Sequence, residues 1–145
     1  MSLFILDTNV ISEIWKPRPD PGVMAWLESA EFFLAAPVIA EIQEGAEASP
    51  NPARREKLNL KLAEIMTVHG SAILDWDGET ARTWGRLQHS PEVKRQPQPL
   101  WDSLLDAMAL RYGAVIATRN QQDFRHAITF NPWTGLEHPA KGAAR

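Results

Sequence analysis

Along this chain short unbroken apolar runs alternate with longer stretches in which apolar residues recur at helical spacing. Leu3-Phe4-Ile5-Leu6 is such a run, the form of a parallel strand covered on both faces. After Asp7-Thr8-Asn9 the spacing changes to Val10, Ile11, Ile14 and Trp15, one face of a helix. Lys16-Pro17-Arg18-Pro19-Asp20-Pro21 stops it, and Pro21 suits the first turn of a second helix with Val23, Met24, Trp26 and Leu27 on its apolar face. Phe32 to Ala36 reads as a second strand, and Pro37 opens a third helix that runs to about residue 48. The turn Ser49-Pro50-Asn51-Pro52 precedes a long amphipathic helix over 53–69, and Ala72 to Trp76 is a third strand. Asp77 starts another helix, with Ala81, Trp84 and Leu87 inward, followed by a polar, proline-containing loop over 90–99. A helix over 100–112 ends at Gly113. Strands are predicted over 114–118 and 127–130, and a frayed tail over 136–145.

Strands that alternate with helices predict a three-layer α/β/α domain around a parallel sheet of four to five strands. No repeat or linker interrupts it, so one domain is expected over residues 1–135. In such sheets ligands bind beyond the carboxyl ends of the strands. Asp7 directly follows the first strand and Asp123 lies five residues after the fourth. Glu41 is early in the helix after the second strand. Asp102 begins the helix that leads into the fourth, which places it at the same rim. Helical phase puts Asp102 beside an apolar stripe of Trp101, Leu104, Leu105, Met108 and Tyr112, and turns Asp106 toward solvent. Glu41 likewise borders the stripe Val38, Ile39, Ile42 and Ala46, whereas Glu44 and Glu47 point away.

Each acid also has a structural role open to it. Asp7 suits a helix cap, Asp123 the end of a capping box begun by Asn120, and Asp102 a partner of the helix dipole. Glu41 is equally an ordinary surface glutamate. Together the four differ, because carboxylates gathered at one rim repel and stay ionised only beside a cation. Oxygen donors favour a hard divalent ion.

Composition narrows the classes. At 145 residues, 44% hydrophobic and 23% charged, the chain is long enough for a real core. With no cysteine it has neither disulfide nor thiolate metal site, in keeping with a cytoplasmic location. The opening Met1–Leu6 lacks a basic leader, and no apolar run reaches membrane-spanning length. A net charge of −3 argues mildly against nucleic-acid binding, unless several acids serve one cation. The basic clusters Arg54-Arg55-Lys57-Lys61 and Lys94-Arg95 read as solvated faces. The spaced histidines His69, His89, His126 and His138 give a histidine mechanism little support. Trp15, Trp26, Trp84 and Trp101, at helical apolar spacing, read as core or interface rather than base-stacking platforms.

Phe4 to Glu13 resembles the LDTNVISE opening of PIN domains. Ala40-Glu41-Ile42 with Gly45 is similar to the family's AEI…G helix. Asp102 to Leu110 is similar to its DxLIAAxAL helix, Asp106 standing where alanine is usual. Ala117-Thr118-Arg119-Asn120 through Asp123-Phe124 resembles TRNxxDF, and Asn131-Pro132-Trp133 the NPW ending of the FitB-like branch. The resemblance spans residues 4–133 in order. It implies a PIN-like fold and a metal-dependent ribonuclease, the VapC- or FitB-like toxin of a type II toxin–antitoxin pair. It implies Asp7, Glu41, Asp102 and Asp123 around Mg²⁺ or Mn²⁺, with Glu41 and Asp123 acting directly, through water or on a second ion. Thr8, Asn9, Thr118 and Asn120 would orient carboxylates or water. The implied partners are single-stranded RNA, a second copy of the chain and an antitoxin gripping the helices over 21–30 and 53–69. A catalytically degenerate PIN scaffold that binds RNA or protein is the alternative. A haloacid-dehalogenase-type phosphatase wants Asp-x-Asp where this chain has Asp7-Thr8-Asn9. A receiver-like module wants paired acids there and a lysine after the last strand, and neither is found.

Overall fold

Five helices begin where a short polar side chain caps the first turn, and in three of them a proline follows at once. The computed structural model describes residues 2–140. Strand β1 is Phe4–Leu6, and Asp7 caps α1 (Thr8–Ile14). Asp20 accepts from the amides of Gly22 (2.8 Å) and Val23 (3.0 Å) and opens α2 (Pro21–Ser29). After β2 (Phe32–Ala35) come α3 (Ala36–Ala48) and α4 (Pro52–Val68), the latter capped by Asn51. A 3-10 turn leads to β3 (Ile73–Leu74). Asp77 caps α5 (Gly78–Leu87), Ser90 caps the short α6 (Pro91–Arg95), and α7 spans Leu100–Tyr112. Strands β4 (Val115–Ala117), β5 (Thr129–Asn131) and β6 (Leu136–His138) complete the chain. Proline in a first turn gives up an amide that no intrahelical carbonyl would have taken.

The six strands form one sheet in the order β3-β2-β1-β4-β5-β6, parallel throughout except for the antiparallel pair β5–β6, with helices flanking it. The α/β class and parallel sheet therefore agree with the sequence pattern, with one strand more. Central β1 and β4 bury apolar side chains on both faces, among them Ile5, Leu6, Ile116 and Ala117. Around them close Val10, Ile11, Val23, Leu105, Met108 and Phe124. Trp15 and Trp26 pack against this core, Trp26 between Phe4 (4.9 Å between centroids) and Phe130 (5.3 Å). Trp84 reaches Ser103 Oγ through its indole N–H (3.0 Å). Trp101 is half-buried.

Three expectations change. Residues 91–95 are helical inside the segment read as loop, because Ser90 caps and Pro91 starts a helix too short to show periodicity. Residues 136–138 are not frayed: they pair with β5 as a fully exposed edge strand, whose polar pattern hides it. Of that tail, residues 141–145 lie outside the described residues. The fifth strand begins at Thr129 rather than Ala127, since the Ala127 amide is turned to the Asp106 carboxyl (2.8 Å).

Candidate active site

Chain order reverses between β1 and β4: β2 and β3 are added on one side, β4 and β5 on the other. At such a switch point the loops beyond two adjacent strands diverge and leave a crevice. Asp7 and Thr118, the residues after β1 and β4, stand side by side there, with the Asp7 amide bonded to Ala117 O (2.9 Å).

Asp7 is buried and both of its oxygens are engaged. Oδ1 accepts the Thr8 amide (2.7 Å) as the helix cap. Oδ2 accepts the Thr118 hydroxyl (2.8 Å) and Asn9 Nδ2 (3.3 Å). The capping role read from the sequence is thus real, and it leaves a lone pair on Oδ1. Thr118 Oγ1 accepts in turn from Asn9 Nδ2 (3.2 Å) and the Asn120 amide (3.0 Å), while Asn9 Oδ1 accepts the Arg119 amide (3.2 Å). Of the four residues expected to orient carboxylates or water, Thr8, Asn9 and Thr118 hydrogen-bond through their side chains. Asn120 does so through its backbone, its side chain lining the groove.

Glu41, in the second turn of α3, accepts the Thr8 hydroxyl through Oε1. Asp102 lies in the first turn of α7 and Asp123 in a 3-10 turn, Gln121–Asp123, that follows β4. Asn120 forms no side-chain cap there, so the capping box is absent. All four acids border one groove of about 460 Å³. Burial first, then the charges of Asp7, Asp123 and Glu41, push the Asp102 carboxyl up to about 7, with Arg125 opposing. Burial also raises Asp7, against the bonds from Thr118 and Thr8. The acids are gathered but not converged: among the described residues no three His, Cys, Asp or Glu side chains are disposed to hold a metal ion as they stand.

The groove also holds residues the sequence reading passed over, namely Ser12, Glu13, Lys16 and Arg119. Asn9, Ser12, Glu13 and Lys16 recur at i, i+3, i+4 and i+7, a polar stripe along α1 that runs on to the residue after its C-cap, and that stripe was the available signal. Glu13 is occupied structurally. It accepts from Lys16 Nζ (2.8 Å) and the Asp20 amide (2.9 Å), and these bonds hold its carboxyl below the usual range. The Arg119 guanidinium rests over the Trp133 ring at 4.7 Å. A second hollow of about 320 Å³, with Ile11, Trp15, Phe32, Ile65 and Val68 in its wall, contains none of the four acids.

Asp106 departs most from expectation. It is wholly buried instead of solvent-facing, and its carboxyl accepts the backbone amides of Arg125, His126 and Ala127. On α7 every residue from Leu105 to Ala109 is buried, so apolar spacing does not mark an outer face.

The model of the PIN domain matches residues 4–128. The chain is 31% identical over 137 residues to the VapC ribonuclease Y4jK of Sinorhizobium fredii, covering 90% of this chain and 98% of the relative. It is 29% identical over 137 residues to Toxin FitB of Neisseria gonorrhoeae, covering 90% and 99%. The structure of FitAB bound to an IR36 DNA fragment contains a chain similar at 30% identity and a TM-score of 0.72, over 93% of this chain and 98% of that one.

Proposed function

The chain belongs to the PIN-domain family, and from that membership we propose that it is a metal-dependent endoribonuclease, the toxin of a toxin–antitoxin pair. One observation carries the reading. Four carboxylates remote in sequence share a groove at the sheet's switch point, and burial, with their mutual repulsion added, lifts Asp102 to about 7. A divalent cation relieves that repulsion, and an all-oxygen donor set without histidine or cysteine fits Mg²⁺ or Mn²⁺. Asp7 and Asp102 would hold the ion, with Glu41 and Asp123 as direct, water-mediated or second-ion ligands. Bound there, it would supply an activated water and charge neutralisation for phosphodiester hydrolysis.

The chain's own residues prepare that site. Thr118, Asn9 and the Thr8 amide fix the Asp7 carboxyl before anything binds, and the Thr8 hydroxyl does the same for Glu41. Arg119 brings positive charge to a groove lined by acids and uncharged polar residues, where an RNA phosphate has to approach, and Lys16, paired with Glu13, lies beside it. Leu60, Met66 and Val68 stand exposed on α4, the helix assigned with α2 to an antitoxin's grip. A homodimer belongs to the same reading.

The test is cleavage of single-stranded RNA with Mg²⁺ or Mn²⁺, with and without chelator. Chelation stops cleavage. Asp7→Asn and Asp102→Asn each lower it more than about 100-fold, since losing even a residue that only orients a metal ligand costs roughly 10–100-fold. Wild-type turnover in either variant contradicts the assignment. The unconverged acids favour one rival, a degenerate scaffold. It would bind RNA in Mn²⁺ and leave it whole.

A further inference from the structure

Asp106 lies one helical turn beyond Asp102 on α7 and has no exposed surface. Burying a carboxyl is unfavourable unless hydrogen bonds replace its water. Here four do. Oδ2 accepts the amides of Arg125 (3.1 Å) and His126 (3.0 Å) and the side-chain amide of Gln98 (3.4 Å). Oδ1 accepts the amide of Ala127 (2.8 Å). Three successive amides turned onto one carboxyl order a segment that has neither helix nor strand of its own.

The consequence falls on Asp123. Gln98 Nε2, while bonded to Asp106, also donates to the Asp123 carbonyl (3.1 Å). The guanidinium of Arg125, on the backbone that Asp106 holds, donates to the carbonyls of Gln122 (2.6 Å) and Gln96 (2.8 Å). Both peptide groups flanking the Asp123 Cα are therefore tied. Gln96 and Gln98 belong to the segment that feeds α7, whose first turn bears Asp102. One network thus fastens the two chain segments that present Asp102 and Asp123 to the groove.

We propose that Asp106, acting through Gln98 and Arg125, is a positioning residue that sets the separation of the Asp102 and Asp123 carboxylates across the groove. It touches neither metal nor substrate. The inference rests on the reading of Asp102 and Asp123 as ligands given above. A bare packing role would be filled as well by an apolar side chain, without the need to satisfy a buried carboxyl.

The experiment compares Gln98→Ala, Asp106→Asn and Asp106→Ala with wild type. It uses steady-state cleavage of single-stranded RNA, and amide hydrogen exchange on the same proteins free of metal. Gln98 is half-buried, so its replacement spares the core even if Asp106→Ala does not fold. Gln98→Ala is expected to lower kcat roughly 10–100-fold with KM for RNA nearly unchanged, the usual loss for a residue that orients a metal ligand. Asp106→Asn, which keeps one acceptor, loses less than Asp106→Ala. Exchange at residues 122–127 accelerates in each variant while the strands keep their protection. In an Asp123→Asn background, adding Gln98→Ala costs nothing further, because coupled residues are not additive. An equal loss in both backgrounds, or unchanged exchange at 122–127, overturns the proposal. Failure of the nuclease reading looks different: wild type is then inert toward RNA, and exchange alone decides the role of Asp106.

Discussion

Asp102 carries the heaviest electrostatic load in the groove, and its titration is readable as stability. Its carboxyl titrates near 7 in the folded chain and near the ordinary value of about 3.9 once unfolded. Between those values the folded state holds the extra proton, so stability falls as pH rises through that window. In chelator, Asp102→Asn should melt above wild type at pH 8, and the gap should close as pH drops toward 4. Thermal melts across that range check it; a gap that widens toward acid refutes the raised Asp102 carboxyl. At this scale the sequence told a good deal about Asp7 and Asp102, because a residue at a strand end or in a helix's first turn is placed by topology alone. It misled about Asp106, because phase arguments need one face in water and α7 is covered by α5, α3 and β4.

Helix starts were the most legible elements, since Asp20, Asn51 and Asp77 announce a cap by residue type and each precedes a proline or glycine that begins the helix. The α7 stop is as clear. Gly113 takes φ +63°, a left-handed conformation that turns the chain from α7 into β4. No atom stands within 4 Å of an added Cβ, so the strain is purely conformational. Gly113→Ala should destabilise the fold by about 1–2 kcal/mol, the penalty for a side chain in that region. Gly113→Asn should lose less, as asparagine tolerates it. Urea denaturation measures both, and RNA cleavage should persist in each. What sequence concealed were α6, only five residues long, and β6, exposed along its whole length. Neither repeats often enough to reveal a period, and β6 is defined by its pairing with β5 rather than by burial.

For the molecule as a whole, the switch point makes one property global: the elements that meet at the groove come from both halves of the sheet. Asp7 follows β1, Glu41 lies on α3, Asp102 on α7 and Asp123 after β4. An ion shared among them would bridge segments more than a hundred residues apart in sequence. Such an ion binds the native state alone, because the unfolded chain scatters its ligands, and so it raises apparent stability by mass action. At a hundredfold excess over Kd the gain is about 2.7 kcal/mol. For a chain of this length that corresponds to a rise in Tm on the order of 10 °C. Ligation also requires the carboxylates to be deprotonated, so the rise should be larger at pH 8 than at pH 6, opposite in sign to the trend without metal. Thermal shift with Mn²⁺ and then Mg²⁺ at both pH values tests this, with Asp7→Asn and Asp102→Asn as controls that should respond weakly or not at all. If wild type and both controls rise together, the ion binds elsewhere on an acidic surface. A rise confined to wild type that grows with pH ties the ion to the carboxylates of this groove.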